Sequence, residues 1–138
     1  GWATFFAGAA RLSPSDPDAK FQYLVPRRAP IRLENVPQDV CRGPTSEWRV
    51  AAGLWDLHDA NADGRDASAL GFARIWKGIA AQRMGGFADA CGFISAGLAP
   101  DALAAGTGAL RQNTLLPEAV LLAPARSAVE LLSAPAWD

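Results

Sequence analysis

The densest group of potential metal ligands in the sequence lies between Asp59 and Asp66. It follows the pattern D-x-N-x-D-G, with Asp59, Asn61 and Asp63 at alternate positions before Gly64. This pattern is the first half of an EF-hand-type calcium loop, in which alternate side chains converge on one point and the glycine permits a sharp turn. Hard oxygen ligands of this kind suit calcium. The spacing therefore predicts a calcium site at Asp59, Asn61, Asp63 and Asp66.

The second half of the calcium pattern differs from an EF-hand. The twelfth position of such a loop carries a bidentate acid, and this chain has Leu70 there. Asp66 could partly replace the missing acid as a calcium ligand, but the coordination geometry would differ from that of an EF-hand. Asp, Asn and Gly also favour turns and helix caps without any metal. A turn-forming loop is therefore the alternative interpretation of these residues.

His58 is the only histidine of the chain, and it directly precedes the acidic loop. A histidine at a helix end is usually a surface residue, whose positive form the helix dipole favours. Asp56 lies between two apolar residues and is either a buried, hydrogen-bonded acid or a solvent-facing one. These two residues alone do not define a catalytic site. The sequence also contains no nucleophile elbow and no glycine-rich phosphate loop.

The helix that must position these residues is predicted to run from residue 46 to 59. Thr45 or Ser46 provides a suitable N-cap, and Glu47 is favourable in the first turn. Apolar residues cover so much of the remaining circumference that this helix should be central in the fold. The apolar positions are Trp48, Val50, Ala51, Ala52, Leu54, Trp55 and Leu57.

The rest of the chain is predicted to be mainly α-helical, with about five to six helices in all. Residues 18–45 form a long irregular connection that can hold one small hairpin, because four prolines interrupt its alternating runs around Phe21 and Ile31. An opening helix is predicted around Trp2, Phe5, Phe6 and Ala9. A later helix is capped by Asp66 or Ser68, has Leu70, Ile75, Trp76 and Ile79 as its apolar positions, and is broken at Gly85–Gly86. Three more helices are predicted: one over 87–98, one from Pro100 through Leu103, Ala104, Leu110 and Leu115, and a short one from Pro117.

Length and composition restrict the class of protein. The 138 residues, half of them hydrophobic, suffice for a single helical domain or subdomain over residues 1–138. The net charge of −1 provides no basic field to attract nucleic acid. No stretch approaches the roughly 18 apolar residues of a membrane span. Cys41 and Cys91 are either one disulfide or two buried free thiols.

Two segments resemble a known family. GWATFFAGAA, residues 1–10, resembles the segment E-G-W-A-D-F-F-A-A-A of bacterial zinc-metallopeptidase-like proteins of the gluzincin kind. Residues 50–66 are similar to the later motif V-A-x-x-L-W-D-L-Y-D-x-x-x-D-G-x-D of the same proteins. Gly71–Phe72 with Ile75–Trp76, and Gln112–Asn113–Thr114, also fit the pattern. The resemblance covers roughly residues 1–10 and 47–115.

The resemblance implies that the chemistry depends on residues upstream of Gly1. In the family, zinc is held by an HExxH pair and by the Glu of E-G-W-A, and this chain contains none of these ligands. The chain would then be the C-terminal helical part of a secreted or cell-envelope zinc metallopeptidase that acts on peptide or protein substrates. It would not be catalytic as given. The missing N-terminal segment of the same protein would cover the apolar face of Trp2, Phe5 and Phe6.

Two positions depart from the family pattern. Thr4 replaces an Asp, one helical turn from the ligand Glu, where it would help to orient a zinc-bound histidine without supplying charge. His58 replaces a Tyr, and the resemblance implies that it could stabilise an oxyanion, oriented by Asp56 or Asp59. The alternative is a structural position that tolerates any polar ring. The alternative to this peptidase hypothesis is a non-enzymatic helical interaction or structural domain, with or without calcium at Asp59–Asp66.

Overall fold

A computed structural model describes residues 1–22, 30–64, 67–80 and 100–115. These ranges contain four helices and one two-stranded antiparallel sheet, so the prediction of a mainly α-helical fold is confirmed. The predicted number of five to six helices is not confirmed, since the predicted helices over 87–98 and from Pro117 lie outside the described residues. The elements are α1 (Trp2–Ala9), β1 (Lys20–Phe21), β2 (Ile31–Arg32), α2 (Glu47–His58), α3 (Phe72–Ala80) and α4 (Pro100–Thr114).

Helix α2 is the central element, as its apolar composition predicts. Its residues from Arg49 to Leu57 are all buried, and both α1 and α4 pack against it. Of the two predicted N-caps, Ser46 is the one used: its side chain accepts a hydrogen bond from the amide of Arg49 at 3.4 Å. The helix ends at His58, and Asp59 adopts an extended conformation at the C-cap.

Helix α1 divides its aromatic residues between the core and the surface. Phe5 is fully buried, whereas Phe6 is 46% exposed and Trp2 is half-buried. Gly8 allows the helix to approach the chain after β2, because a Cβ atom on Gly8 would lie only 2.3 Å from Cδ1 of Leu33. The predicted apolar face is therefore only partly available to another segment.

The irregular connection contains the small hairpin that the alternating runs suggested. Lys20 pairs with Arg32 and Phe21 pairs with Ile31 in an antiparallel ladder. Phe21 and Ile31 point into the core, together with Leu33. The hairpin is joined to α2 by the indole of Trp48, which donates a hydrogen bond to the carbonyl of Arg32.

Helix α3 begins later than predicted. Its first residue is Phe72, so the predicted caps Asp66 and Ser68 are too far upstream. The amide of Leu70 donates to the carbonyl of Leu57 at 2.8 Å, which holds the preceding segment against the end of α2. Gly71 then turns the chain with φ +73°, a left-handed conformation that glycine adopts without strain. Within α3, Ile75 and Ile79 are buried as predicted, but Trp76 is 45% exposed.

Helix α4 begins at Pro100 as predicted, but its buried face differs from the predicted one. Leu110 is buried, whereas Ala104 is exposed. Leu115 does not continue the buried face, because it adopts φ +57° after the last helical residue and is 59% exposed. Polar residues occupy much of the inward face instead, namely Thr107, Asn113 and Thr114.

Of the two cysteines, Cys41 lies within the described residues. Its side chain is exposed, so the alternative of two buried thiols is wrong for this residue. Cys91, the break at Gly85–Gly86, and Asp66 lie outside the described residues.

Candidate functional site

His58 lies at the C-terminal end of α2 among aromatic rings. Three aromatic rings surround the imidazole: Phe5 of α1 with ring centroids 5.9 Å apart, Trp55 at 5.3 Å and Phe72 of α3 at 6.4 Å. Each pair is close to perpendicular, which is a favoured arrangement for aromatic groups. The imidazole is therefore fixed in position by three different segments of the chain, each of which fits the pattern that resembles the peptidase family.

The environment of His58 favours the neutral imidazole. Burial lowers the pKa of His58 below its ordinary value of 6.5, so the expectation that the helix end favours the positive form does not hold here. Its Nδ1 atom is buried and has no hydrogen-bond partner among the residues that the structure describes. The predicted orientation by Asp56 or Asp59 is therefore not made through Nδ1. A neutral imidazole retains one N–H group that can donate a hydrogen bond.

Asp56 belongs to a different polar group from His58. It is 4% exposed, and one of its oxygens accepts a hydrogen bond from Nδ2 of Asn113 at 2.6 Å. Two residues two positions apart on a helix do not face each other, which explains the separation from His58. Of the two interpretations of Asp56, the buried, hydrogen-bonded acid is correct.

Arg49 extends this polar group, and the sequence interpretation missed it. Its guanidinium donates to the carbonyls of Pro37 at 3.0 Å and Val40 at 3.0 and 3.1 Å, and to Oδ1 of Asn113 at 3.4 Å. Asn113 thus bridges Arg49 and Asp56 inside the protein. An arginine inside an otherwise apolar helix was the available signal, because a buried guanidinium requires several acceptors.

Thr4 lies between α1 and α2. It is 1% exposed, and its hydroxyl donates a hydrogen bond to the carboxylate of Glu47, the first residue of α2. The two segments that carry the family resemblance therefore meet at this residue. The predicted role of Thr4 toward a zinc-bound histidine concerns residues that this chain does not contain.

The predicted calcium ligands are only partly described. Asp59 is buried, and Asp63 accepts a hydrogen bond from Nε2 of Gln112 at 3.2 Å. Gly64 makes the expected turn with φ +55°. Nowhere in the described ranges do three His, Cys, Asp or Glu side chains come together in a group able to hold a metal ion. The calcium site stays a prediction that involves Asp66.

The described side chains do not provide the three protein ligands that a catalytic zinc requires. Zinc therefore stays an expectation that follows from the family resemblance.

Comparison of the chain with protein-family models, with curated proteins and with solved structures gave no match. The family resemblance accordingly rests on the motifs quoted above. No helix within the described ranges combines the length and the apolar character needed to cross a membrane.

Proposed function

We propose that this chain is the C-terminal helical part of a secreted zinc metallopeptidase-like protein that hydrolyses peptide bonds. The observation that supports the proposal best is the packing of α1 against α2. The two segments that resemble separate motifs of the family contact each other through Thr4 and Glu47 and through Phe5 and His58. In the proposed protein, residues that precede Gly1 supply the zinc ligands.

The role proposed for this chain is to support the reaction with positioned side chains. His58 replaces the family's Tyr, and its partly exposed, neutral imidazole suits an uncharged donor of one hydrogen bond to a developing oxyanion. The rings of Phe5, Trp55 and Phe72 restrict its orientation. Thr4 contributes by joining α1 to α2, because its hydroxyl proton is already donated to Glu47.

The first test is the coding sequence upstream of Gly1. We expect a Glu codon immediately before Gly1 and an HExxH motif a few tens of residues before that. If both are absent, the peptidase proposal is wrong, and the alternative of a non-enzymatic helical interaction or structural domain replaces it.

The second test uses the full-length protein with peptide substrates. We expect His58→Phe to lower kcat/KM by about 100-fold, mainly through kcat, as expected for loss of an oxyanion donor. His58→Gln keeps a hydrogen-bond donor and should retain more activity. Zinc content measured in the same samples should be unchanged. A kcat/KM for His58→Phe within about twofold of the unaltered protein would exclude this role.

A further inference from the structure

The described residues form an open pocket of about 620 Å³ beside α2. Four parts of the chain build it: the connection between β2 and α2, Arg49 of α2, the acidic loop at Asp63 and Gly64, and the C-terminal end of α4. A pocket of this volume accommodates a ligand of small-molecule or short-peptide size. None of the three rings around His58 lines it, so the pocket is separate from the surroundings of His58, although it shares Arg49 and Asn113 with the buried polar group described above.

Three arginines line this pocket, one from each of three elements. They are Arg42 of the connection, Arg49 of α2 and Arg111 of α4. The two ion pairs found within the described ranges both use Asp18, which binds Lys20 and Arg32 elsewhere in the molecule. None of the three pocket arginines therefore forms a salt bridge with a described residue.

The positive charge of Arg49 is buried, which is energetically unfavourable. The residue is 6% exposed, and its hydrogen bonds to the chain go to neutral carbonyl and amide oxygens. Burial lowers the pKa of the Arg49 guanidinium, and the neighbouring positive charge of Arg42 lowers this pKa further, against an opposing effect of Asp56. A negative charge bound between the arginines would offset the desolvation cost of the Arg49 guanidinium and would reduce its repulsion with Arg42.

The pocket also contains two acids that are already hydrogen-bonded. Glu34 accepts from the indole Nε1 of Trp55 at 2.9 Å, and Asp63 accepts from Gln112 at 3.2 Å. The described lining has three arginines and two acids, and the buried Asp56 behind Asn113 offsets part of the charge of Arg49, so any positive excess is small. That excess matches one carboxylate better than a phosphate dianion, and the remaining acceptor positions of the two acids suit the N–H groups of the same ligand.

We propose that this pocket binds a peptide-like ligand through its carboxylate, with Arg42, Arg49 and Arg111 as the anion-binding groups. The exposed guanidinium groups of Arg42 and Arg111 can hold a carboxylate through paired, charge-assisted hydrogen bonds. Arg49 adds its positive charge and one remaining N–H group, because its other donors are already bonded to the chain. Glu34, Asp63 and the side-chain amides of the lining then bind the amide groups of the ligand. This inference does not depend on the proposed peptidase function.

The test compares two probes that differ in one charge, acetyl-alanyl-alanine and its C-terminal amide. Binding to the purified full-length protein is measured by calorimetry and by chemical-shift changes of the arginine Nε–H groups. We expect the free acid to bind at least about tenfold more tightly than the amide, because the charge-assisted hydrogen bonds are lost with the charge. Added salt should weaken the binding of the acid.

Two exposed arginines allow variants that preserve the fold. Arg42→Gln and Arg111→Gln should each weaken binding of the acid about fivefold to tenfold. Arg11→Gln, an exposed arginine that does not line the pocket, is the matched control and should bind as the unaltered protein does. The proposal is overturned if acid and amide bind equally or if neither binds at millimolar concentrations. It is also overturned if inorganic phosphate, measured in the same assay, binds more tightly than the acid, or if Arg11→Gln weakens binding as much as the pocket variants do. The measurements are made after treatment with a zinc chelator, which prevents cleavage of the probes by the proposed peptidase, so these outcomes are independent of peptidase activity.

Discussion

The hydroxyl of Thr4 donates a hydrogen bond to the carboxylate of Glu47 across 43 positions of sequence. Thr4 lies in the first half of α1 and is almost completely buried, while Glu47 is the first residue of α2 and is exposed. The contact thus joins a buried donor to an acid at the N-terminus of the central helix, where the helix dipole also favours a negative charge.

Replacing Thr4 with Val tests the energetic value of this contact. The substitution keeps the shape of the side chain but removes the donor, so we expect a loss of about 1–2 kcal/mol in the free energy of unfolding, measured by urea denaturation. Glu47→Gln is the matched control, because its amide oxygen still accepts the bond and should cost less. Equal stability of Thr4→Val and the unaltered protein would show that the hydrogen bond contributes nothing.

Removing Asn113 should affect stability more strongly. Asn113 bridges the buried groups of Arg49 and Asp56, so Asn113→Ala leaves a buried charge short of its partner on each side. We expect a loss of about 3 kcal/mol in the free energy of unfolding. The neighbouring Gln112→Ala removes a bond to Asp63 at the surface and should cost less than about 1 kcal/mol. Similar losses for the two variants would contradict the importance of the buried bridge.

The sequence predicted the local features of α2 but not the hydrogen bonds that join α2 to other helices. The cap at Ser46 and the apolar positions of α2 depend on residues only a few positions apart, and both predictions agree with the structure. Arg49, Asn113 and Asp56 are separated by 57 and 64 positions. Helical periodicity indicates which residues are buried but not which buried polar groups meet, so this bridge could not be predicted.

The errors in the predicted buried faces of α3 and α4 also arise from tertiary structure. The sequence pattern extended the apolar face of α4 to Leu115, but the chain leaves the helix there through a left-handed conformation. Likewise, Trp76 fits the apolar periodicity of α3 yet is exposed at the surface. An apolar residue at the correct spacing predicts a buried position only as long as the helix continues and another element covers that face.

The single histidine allows a direct test of its environment. Because burial lowers the pKa of His58, the unfolded chain binds more protons than the folded one as the pH falls below about 6.5. The stability contributed by the neutral imidazole is therefore present above the unfolded pKa and is lost as the pH falls through the folded value. An NMR titration of the one imidazole signal should give a midpoint below 6.5.

The variant His58→Leu isolates this effect from the titration of carboxylates. We expect the unaltered protein to lose more of its free energy of unfolding between pH 7 and pH 5 than His58→Leu does, since only the unaltered protein must bury an imidazole that tends to become protonated. Parallel stability curves for the two proteins, or an imidazole midpoint at or above 6.5, would show that burial does not control this residue.

Leu115 offers a stabilising substitution. A branched aliphatic residue is strained at φ +57°, and Leu115 buries little of its side chain. Leu115→Asn should raise the free energy of unfolding by about 0.5–1 kcal/mol, because asparagine tolerates the left-handed conformation. Leu115→Ala removes the same apolar surface but keeps the strain, so it should not stabilise. A gain for Ala equal to that for Asn would show that relief of backbone strain is not the cause.

Gly8 tests the close packing of α1 against the chain after β2. Alanine is the better helix former by about 0.5–1 kcal/mol, but its Cβ would lie 2.3 Å from Cδ1 of the fully buried Leu33. We expect the overlap to dominate, so Gly8→Ala should lower the free energy of unfolding by about 1–3 kcal/mol. In a Leu33→Ala background the overlap is absent, and the same substitution should be neutral or stabilising. If Gly8→Ala has the same effect in both backgrounds, the contact between Gly8 and Leu33 does not determine the need for glycine.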